Sequence, residues 1–224
     1  MQAKGARALS AGRDEATVSA MARRLGVDPV MLDLGDLDGV RAAAARLRHI
    51  DAVACNAGLQ VLRGPTFTAD GFEETFQVNH LAHVALVDAL LARSAATRRV
   101  VFVGSALHDP AVRTGTQDPI EDDDLAPLAR AGQDKEPPRT AGLRRYTRSK
   151  LLSAATAAAL ARERPEVHLT CLDPRLMPGT GLARQHPTAM RPVVQSTPHR
   201  AQGNEPAALR LLACRLGSCP GARH

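Results

Sequence analysis

The chain's single tyrosine, Tyr146, stands four residues before Lys150 in the stretch RRYTRSKLL. A phenol and an ammonium at that spacing form a candidate acid–base pair, because positions i and i+4 of a helix share a face. A free phenol titrates at about 10 and is a poor base at neutral pH. A neighbouring ammonium stabilises the phenolate and brings it toward the working range. A serine hydroxyl beside the pair can hold a substrate oxygen while the proton moves. Ser105, at the end of the apolar run RRVVFVGS, is the serine placed for that task. Such a set does chemistry on a carbonyl or an alcohol. Tyr and Lys four apart are common by chance, so the meaning of the pair rests on the elements that gather around it.

Those elements follow from the hydrophobic pattern. The chain has 224 residues, long enough for one sizeable domain. Aromatic residues are only 2%, so aliphatic side chains must build the core. Short apolar runs alternate with segments of helical period, the pattern of a parallel α/β sheet. Strands are expected at 7–11, 29–34, 50–55, 98–105 and 166–173, with helices at 14–25, 36–49, 68–93 and 143–163. The run 106–141 reads as a long polar loop, and its acidic stretch Glu121–Asp124 as a solvated surface. Beyond Arg184 the chain turns rich in Pro, Gln, His and Thr without period, and 185–224 reads as poorly structured, with a short helix at PAALRLLACRL. The net charge of +6 is carried by scattered arginines with no base-reading motif, which argues against nucleic acid as partner. Four cysteines show neither metal-ligand spacing nor a paired framework, and Cys55 and Cys171 read as buried apolar groups. LAHVALVDALL is too short and too polar to span a bilayer, and the N-terminus lacks an apolar signal-peptide core. A cytoplasmic protein without membrane association is the expectation.

In sheets of this class, ligands bind at the carboxyl ends of the strands. There the sequence places Asn56-Ala57-Gly58, Ser105 and Asp173-Pro174, while Asn79 lies within the long helix and Tyr146 with Lys150 on the next one. Gly58 permits a tight backbone path after its strand. The blocks CNAG, GFEETFQVNHLAH, VVFVGSALHDP, YTRSK and LDPRLMPGTGLAR, in this order, resemble the short-chain dehydrogenases/reductases over residues 7–184. The nearest branch is that of bacterial reductases similar to protochlorophyllide and retinol dehydrogenases. The resemblance implies a Rossmann-like, doubly wound parallel sheet. It also implies a catalytic set of Asn79, Ser105, Tyr146 and Lys150. In it Tyr146 is the general acid/base, Lys150 lowers its pKa and holds the nicotinamide ribose, Ser105 orients the substrate oxygen and Asn79 positions a water. It further implies a cofactor lined by Asp33 near adenine, by Asn56, Ala57 and Gly58 on the adenosine side, and by Thr180 near the carboxamide. Arg13 matches a basic residue used on a 2′-phosphate, which favours NADP over NAD. In the family, helices matching 68–93 and 143–163 pack between subunits, which implies a homodimer.

Plainer readings stand beside these. Arg13 reads equally as a solvated charge, Asp33 as a helix cap and Asn56 as a turn residue. His80 and His83 are a helical i, i+3 pair that could suggest a metal, but no third ligand accompanies them and none is expected. The sequence also departs from the family. The first strand and the TGxxxGxG turn that holds the pyrophosphate are missing, Arg175 stands where glycine follows proline, and the last strand is not recognisable. Without a central first strand, the next two strands must pair directly with the fourth or lie apart from it. The expectation is therefore a truncated dinucleotide-binding domain at 1–184. It is either an NADP-dependent oxidoreductase acting on a small carbonyl or alcohol, or a silent domain that persists as an interaction partner or non-functional product.

Overall fold

The computed structural model describes residues 7–93, 97–105, 129, 136–174 and 211–212. Strand β1 (Leu9–Gly12) leads into helix α1 (Glu15–Leu25), then β2 (Asp28–Met31), α2 (Leu37–Arg46) and β3 (Ala52–Cys55). The long helical segment follows as α3 (Glu74–Phe76), a π-helical turn (Gln77–Leu81) and α4 (Ala82–Arg93). After it come β4 (Arg99–Val103), α5 (Pro138–Glu163), β5 (His168–Leu172) and the two-residue β6 (Leu211–Leu212).

Local chemistry sets the boundaries. Asp14 caps α1 by accepting from Thr17 N at 2.8 Å, and Gly26 closes it in the left-handed region at φ 62°. Asp36 caps α2 through Gly39 N at 2.9 Å. The helix expected from residue 68 begins six residues later. Gly71, at φ 81°, turns the chain, Phe67 and Glu73 form a bridge, and Glu73 becomes the N-cap by accepting from Phe76 N at 2.8 Å. Conversely α5 starts earlier than the expected 143, with Pro138 in its first turn, where its missing N–H costs nothing. Leu211–Leu212 lies within the stretch read as a short helix; it is a strand, antiparallel to β5.

The parallel α/β architecture is as expected, but the sheet is in two parts. β1 and β2 form a two-stranded parallel sheet, and β3-β4-β5-β6 a second sheet, parallel except for β6. Of the two outcomes expected for the early strands, this is the one in which they lie apart. The second sheet is covered unevenly. Val53 and Cys55, Val100 and Phe102, Leu169 and Cys171 alternate along their strands in register and share one face. That face packs on Val87 and Leu91 of α4 and Ala154 and Ala157 of α5. The opposite face carries Ala52, Ala54 and Arg99, all exposed, with Val101, Val103 and Thr170 half-buried and Leu172 buried toward the strand ends. Among the described residues, then, the helices against this sheet cover one face, not two. A second apolar cluster joins Leu37, Val40 and Ala44 of α2 to Val78, Ala82, Leu86 and Leu90, and it ties the early part of the chain to the long helix. Val40 and Ala44 are wholly buried there, and burying a valine side chain is worth about 1.5–3 kcal/mol.

Candidate active site

Helix α5 lays Gly142, Arg145, Tyr146, Ser149, Lys150, Ser153 and Ala157 along its buried side, one stripe at helical spacing. Lys150 reaches the end of β4, where its Nζ donates to Val103 O at 2.8 Å, and it stands 5.7 Å from the centroid of the Tyr146 ring. Ser105, two residues beyond β4, is hydrogen-bonded to the Tyr146 phenol. Strand end and helix thus bring Ser105, Tyr146 and Lys150 together as the sequence implied.

The electrostatics differ from the expectation. Burial pushes the Tyr146 phenol up to about 12; the Ser105 hydrogen bond opposes this and the Asp173 carboxylate adds to it. Burial also pulls the Lys150 ammonium down to about 8, against the pull of Cys171 and Cys55. Lys150 therefore does not lower the phenol here. Its ammonium bonds a backbone carbonyl, and desolvation dominates both groups. The phenol is therefore neutral at neutral pH and hydrogen-bonded to Ser105.

Asn79 occupies the π turn and is fully buried. Its side chain grips one residue of the segment after β3. Oδ1 accepts from Leu59 N at 2.8 Å and Nδ2 donates to Leu59 O at 2.9 Å. Nδ2 also donates to Ser149 Oγ at 3.1 Å. The side chain therefore ties the π turn to the segment after β3 and to α5. The Asn79 carbonyl accepts from Ser153 Oγ at 3.3 Å and lies 3.2 Å from His83 Nδ1. Gly58 joins the same cluster: a Cβ on it would sit 3.3 Å from Asn79 Oδ1 and 3.5 Å from Lys150 Nζ.

The remaining candidates fall elsewhere. Asn56 and Ala57 are exposed at the end of β3. Arg13 and Asp33 are exposed beyond β1 and β2, in the other sheet, and Asp33 Oδ1 accepts from Gly35 N at 2.8 Å, a local turn. Thr180 and Arg175 lie outside the described residues. His80 and His83 are buried, and burial pulls both down to about 4; the His80 ring meets Phe76 edge-on. Ser149 and Ser153 join the cluster around Asn79, and the sequence alone does not single them out. Their signal is that of small polar residues three and seven positions after Tyr146 on one helical face. Their partners, Tyr146 O at 2.7 Å for Ser149 and the Asn79 carbonyl for Ser153, become evident only in three dimensions.

A nicotinamide dinucleotide fits part of this arrangement. The side-chain-free Gly58, close against Asn79 and Lys150, leaves a low wall beside the acid–base pair, and Asn56 to Gly58 are exposed along it. The residues that would hold a pyrophosphate are not among those described.

No protein-family model matches the chain. Among curated proteins it is 33% identical over 178 residues to protochlorophyllide reductase B, chloroplastic, of Hordeum vulgare, covering 70% of this chain and 45% of that one. It is 34% identical over 174 residues to the Streptomyces sp. (strain C5) protein named daunorubicin C-13 ketoreductase DnrU, covering 73% and 55%. The chain thus spans about half the length, or less, of the curated relatives it matches. Among solved structures it is similar to an uncharacterized protein from Mycobacterium Paratuberculosis (TM-score 0.59, 28% identity, 79% of this chain and 61% of that one). A short-chain dehydrogenase from Sphingobium yanoikuyae in complex with NADPH shares the fold (TM-score 0.56, 21% identity, 78% and 63%). With curated reductases aligned along most of its length and a short-chain dehydrogenase sharing its fold, the chain belongs to the short-chain dehydrogenase/reductase family.

Proposed function

We propose that the protein is an NADP-dependent oxidoreductase that reduces a small carbonyl compound to an alcohol. The observation that carries this reading is the Ser105–Tyr146–Lys150 cluster, with Tyr146 and Lys150 buried, Ser105 half-buried and a protonated phenol at its centre. A reduced nicotinamide, held by Lys150 and the Asn56–Gly58 wall, would supply hydride to the carbonyl carbon. Ser105 would hold the carbonyl oxygen by hydrogen bond, and the Tyr146 O–H would give that oxygen its proton. The phenolate left behind would keep the hydrogen bond from Ser105, which opposes the effect of burial on that group. An alcohol is a weaker acid than even a raised phenol, so Tyr146 suits delivering the proton better than removing one. Arg13, exposed beyond β1, and the NADPH in the Sphingobium structure support NADP over NAD. The same reading places the protein in the cytoplasm, and the long helices 68–93 and 143–163 as a homodimer face.

A second reading is favoured by the split sheet, which leaves β1 and β2 unjoined to β3: a domain without turnover that serves as an interaction partner. Titration of the purified chain with NADPH, followed by nicotinamide fluorescence with NADH as comparison, separates the two. Saturable binding preferring NADPH, with turnover abolished in Tyr146→Phe, is the expected result. No binding by a folded chain, or an unchanged rate in Tyr146→Phe, overturns the enzyme reading.

A further inference from the structure

Beside the acid–base cluster lies a second pair of buried charges. Glu73 is 1% exposed and Arg145 5%. Their Oε1 and Nε atoms are 3.4 Å apart. Burial pushes the Glu73 carboxyl above its ordinary range, opposed by backbone hydrogen bonds and by Arg145. Both members are tied to structure on either side. Glu73 caps α3 through Phe76 N and donates its own N–H to Ala129 O at 2.7 Å. Arg145 Nη2 donates to Val61 O at 3.5 Å. Three residues earlier on α5, Gly142 presses on the same carbonyl so closely that a Cβ would lie 2.2 Å from it and 3.0 Å from Leu62 Cα. At its other end the segment is held at Leu59 by Asn79. The stretch 59–62 is thus clamped between the π turn and α5.

Arg145 immediately precedes Tyr146, so whatever fixes the depth and roll of the helix at one residue fixes the other. We infer that Glu73 and Arg145 are positioning residues: their buried pair seats α5 on the 59–62 segment and so sets the Tyr146 phenol against Ser105. This rests on reading Tyr146 as the proton donor, and a displacement of about 1 Å at such a group can cost on the order of a hundredfold in rate.

The chain contains one tyrosine and no tryptophan, so its intrinsic fluorescence reports Tyr146 alone. The deciding measurement is quenching of that fluorescence by acrylamide in the parent, in Arg145→Lys and in the double variant Glu73→Gln/Arg145→Met. The double variant removes both charges at similar volume and leaves neither buried alone. Quenching is expected to rise severalfold in the double variant while its far-ultraviolet circular dichroism is retained, with Arg145→Lys intermediate. With NADPH and a carbonyl substrate, kcat falls more than KM rises. Parent-level quenching and kcat in a folded double variant overturn the inference, even if its melting temperature falls, because the pair is then packing only. If the double variant does not fold, Arg145→Lys decides, and parent-level quenching there overturns it. Quenching needs no cofactor, so a chain that fails to bind NADPH still shows whether the pair positions Tyr146.

Discussion

Burial moves the two central side chains toward their neutral forms, and that carries a cost that can be read in stability. Lys150 titrates at about 8 in the fold against 10.5 ordinarily. Between those values the unfolded chain binds more protons than the folded one, so stability rises as pH climbs through that window. The same shift makes the buried ammonium a liability at neutral pH, on the order of 3 kcal/mol before its hydrogen bond to Val103 O is counted. Lys150→Met is therefore expected to raise the melting temperature at pH 7, to flatten the rise between pH 8 and 10.5, and to abolish turnover. Melting curves at several pH values check it, and a lower melting temperature with an unchanged slope would contradict it. Much of this site was legible in the sequence. Tyr146, Lys150 and Ser105 are distinguished by residue type and by their places at a strand end and on the following helix. What spacing could not convey is the direction of the shifts, since desolvation depends on neighbours far away in the chain. Nor could it show that Asn79 grips Leu59, because its partner atoms are backbone groups that any residue could supply.

At the scale of elements, two contacts give the site its shape. Gly142 lets α5 approach the 59–62 segment, and alanine there would place its Cβ 2.2 Å from Val61 O, which is backbone and cannot swing away. Gly142→Ala is expected to destabilise the fold by about 1–3 kcal/mol, as overpacking does, visible as a lower thermal midpoint. A midpoint at or above the parent's would mean the helix can shift at little cost. The other contact is the π turn, whose His80 and the following His83 are buried and titrate at about 4 against 6.5 ordinarily. The unfolded chain takes up protons there first, so stability is full above pH 6.5 and is lost as pH falls toward 4. Glu73, with its raised carboxyl, acts in the opposite sense in acid. The double change His80→Gln/His83→Gln is expected to remove most of the loss between pH 6.5 and 5, measured by denaturant unfolding at each pH; an unchanged slope would exonerate the histidines. The turn itself was not legible. Periodicity made 68–93 a single helix. The apolar spacing there does not reveal that Glu73 caps late or that five residues wind more widely.

At the scale of the molecule, the order of strands and helices was readable because their apolar periods differ and because turns and caps mark their ends. The split between sheets was foreseen only as one of two outcomes, since the pairing of the early strands is decided by which edges can reach one another. That the described helices lie against one face of the second sheet was not foreseen, as alternation along β3 and β4 looks the same whichever face a given helix packs on. The split has a consequence in the time domain. The α1 helix buries only Val18 and Ala22, Leu9 and Met31 of the small sheet are 37% and 49% exposed, and two strands alone make a marginal sheet. The second sheet, by contrast, shares a continuous apolar cluster with α4 and α5. Amide hydrogens of β1, α1 and β2 are therefore expected to exchange with solvent at least about tenfold faster than those of β4 and α5, through an opening that leaves the larger sheet intact. A single uniform protection level would mean that the chain opens as one unit. If the two levels are seen, the residues around Tyr146 stay folded while the region carrying Arg13 and Asp33 opens and closes, and among the described elements that region is expected to be cut by proteases before β4 or α5.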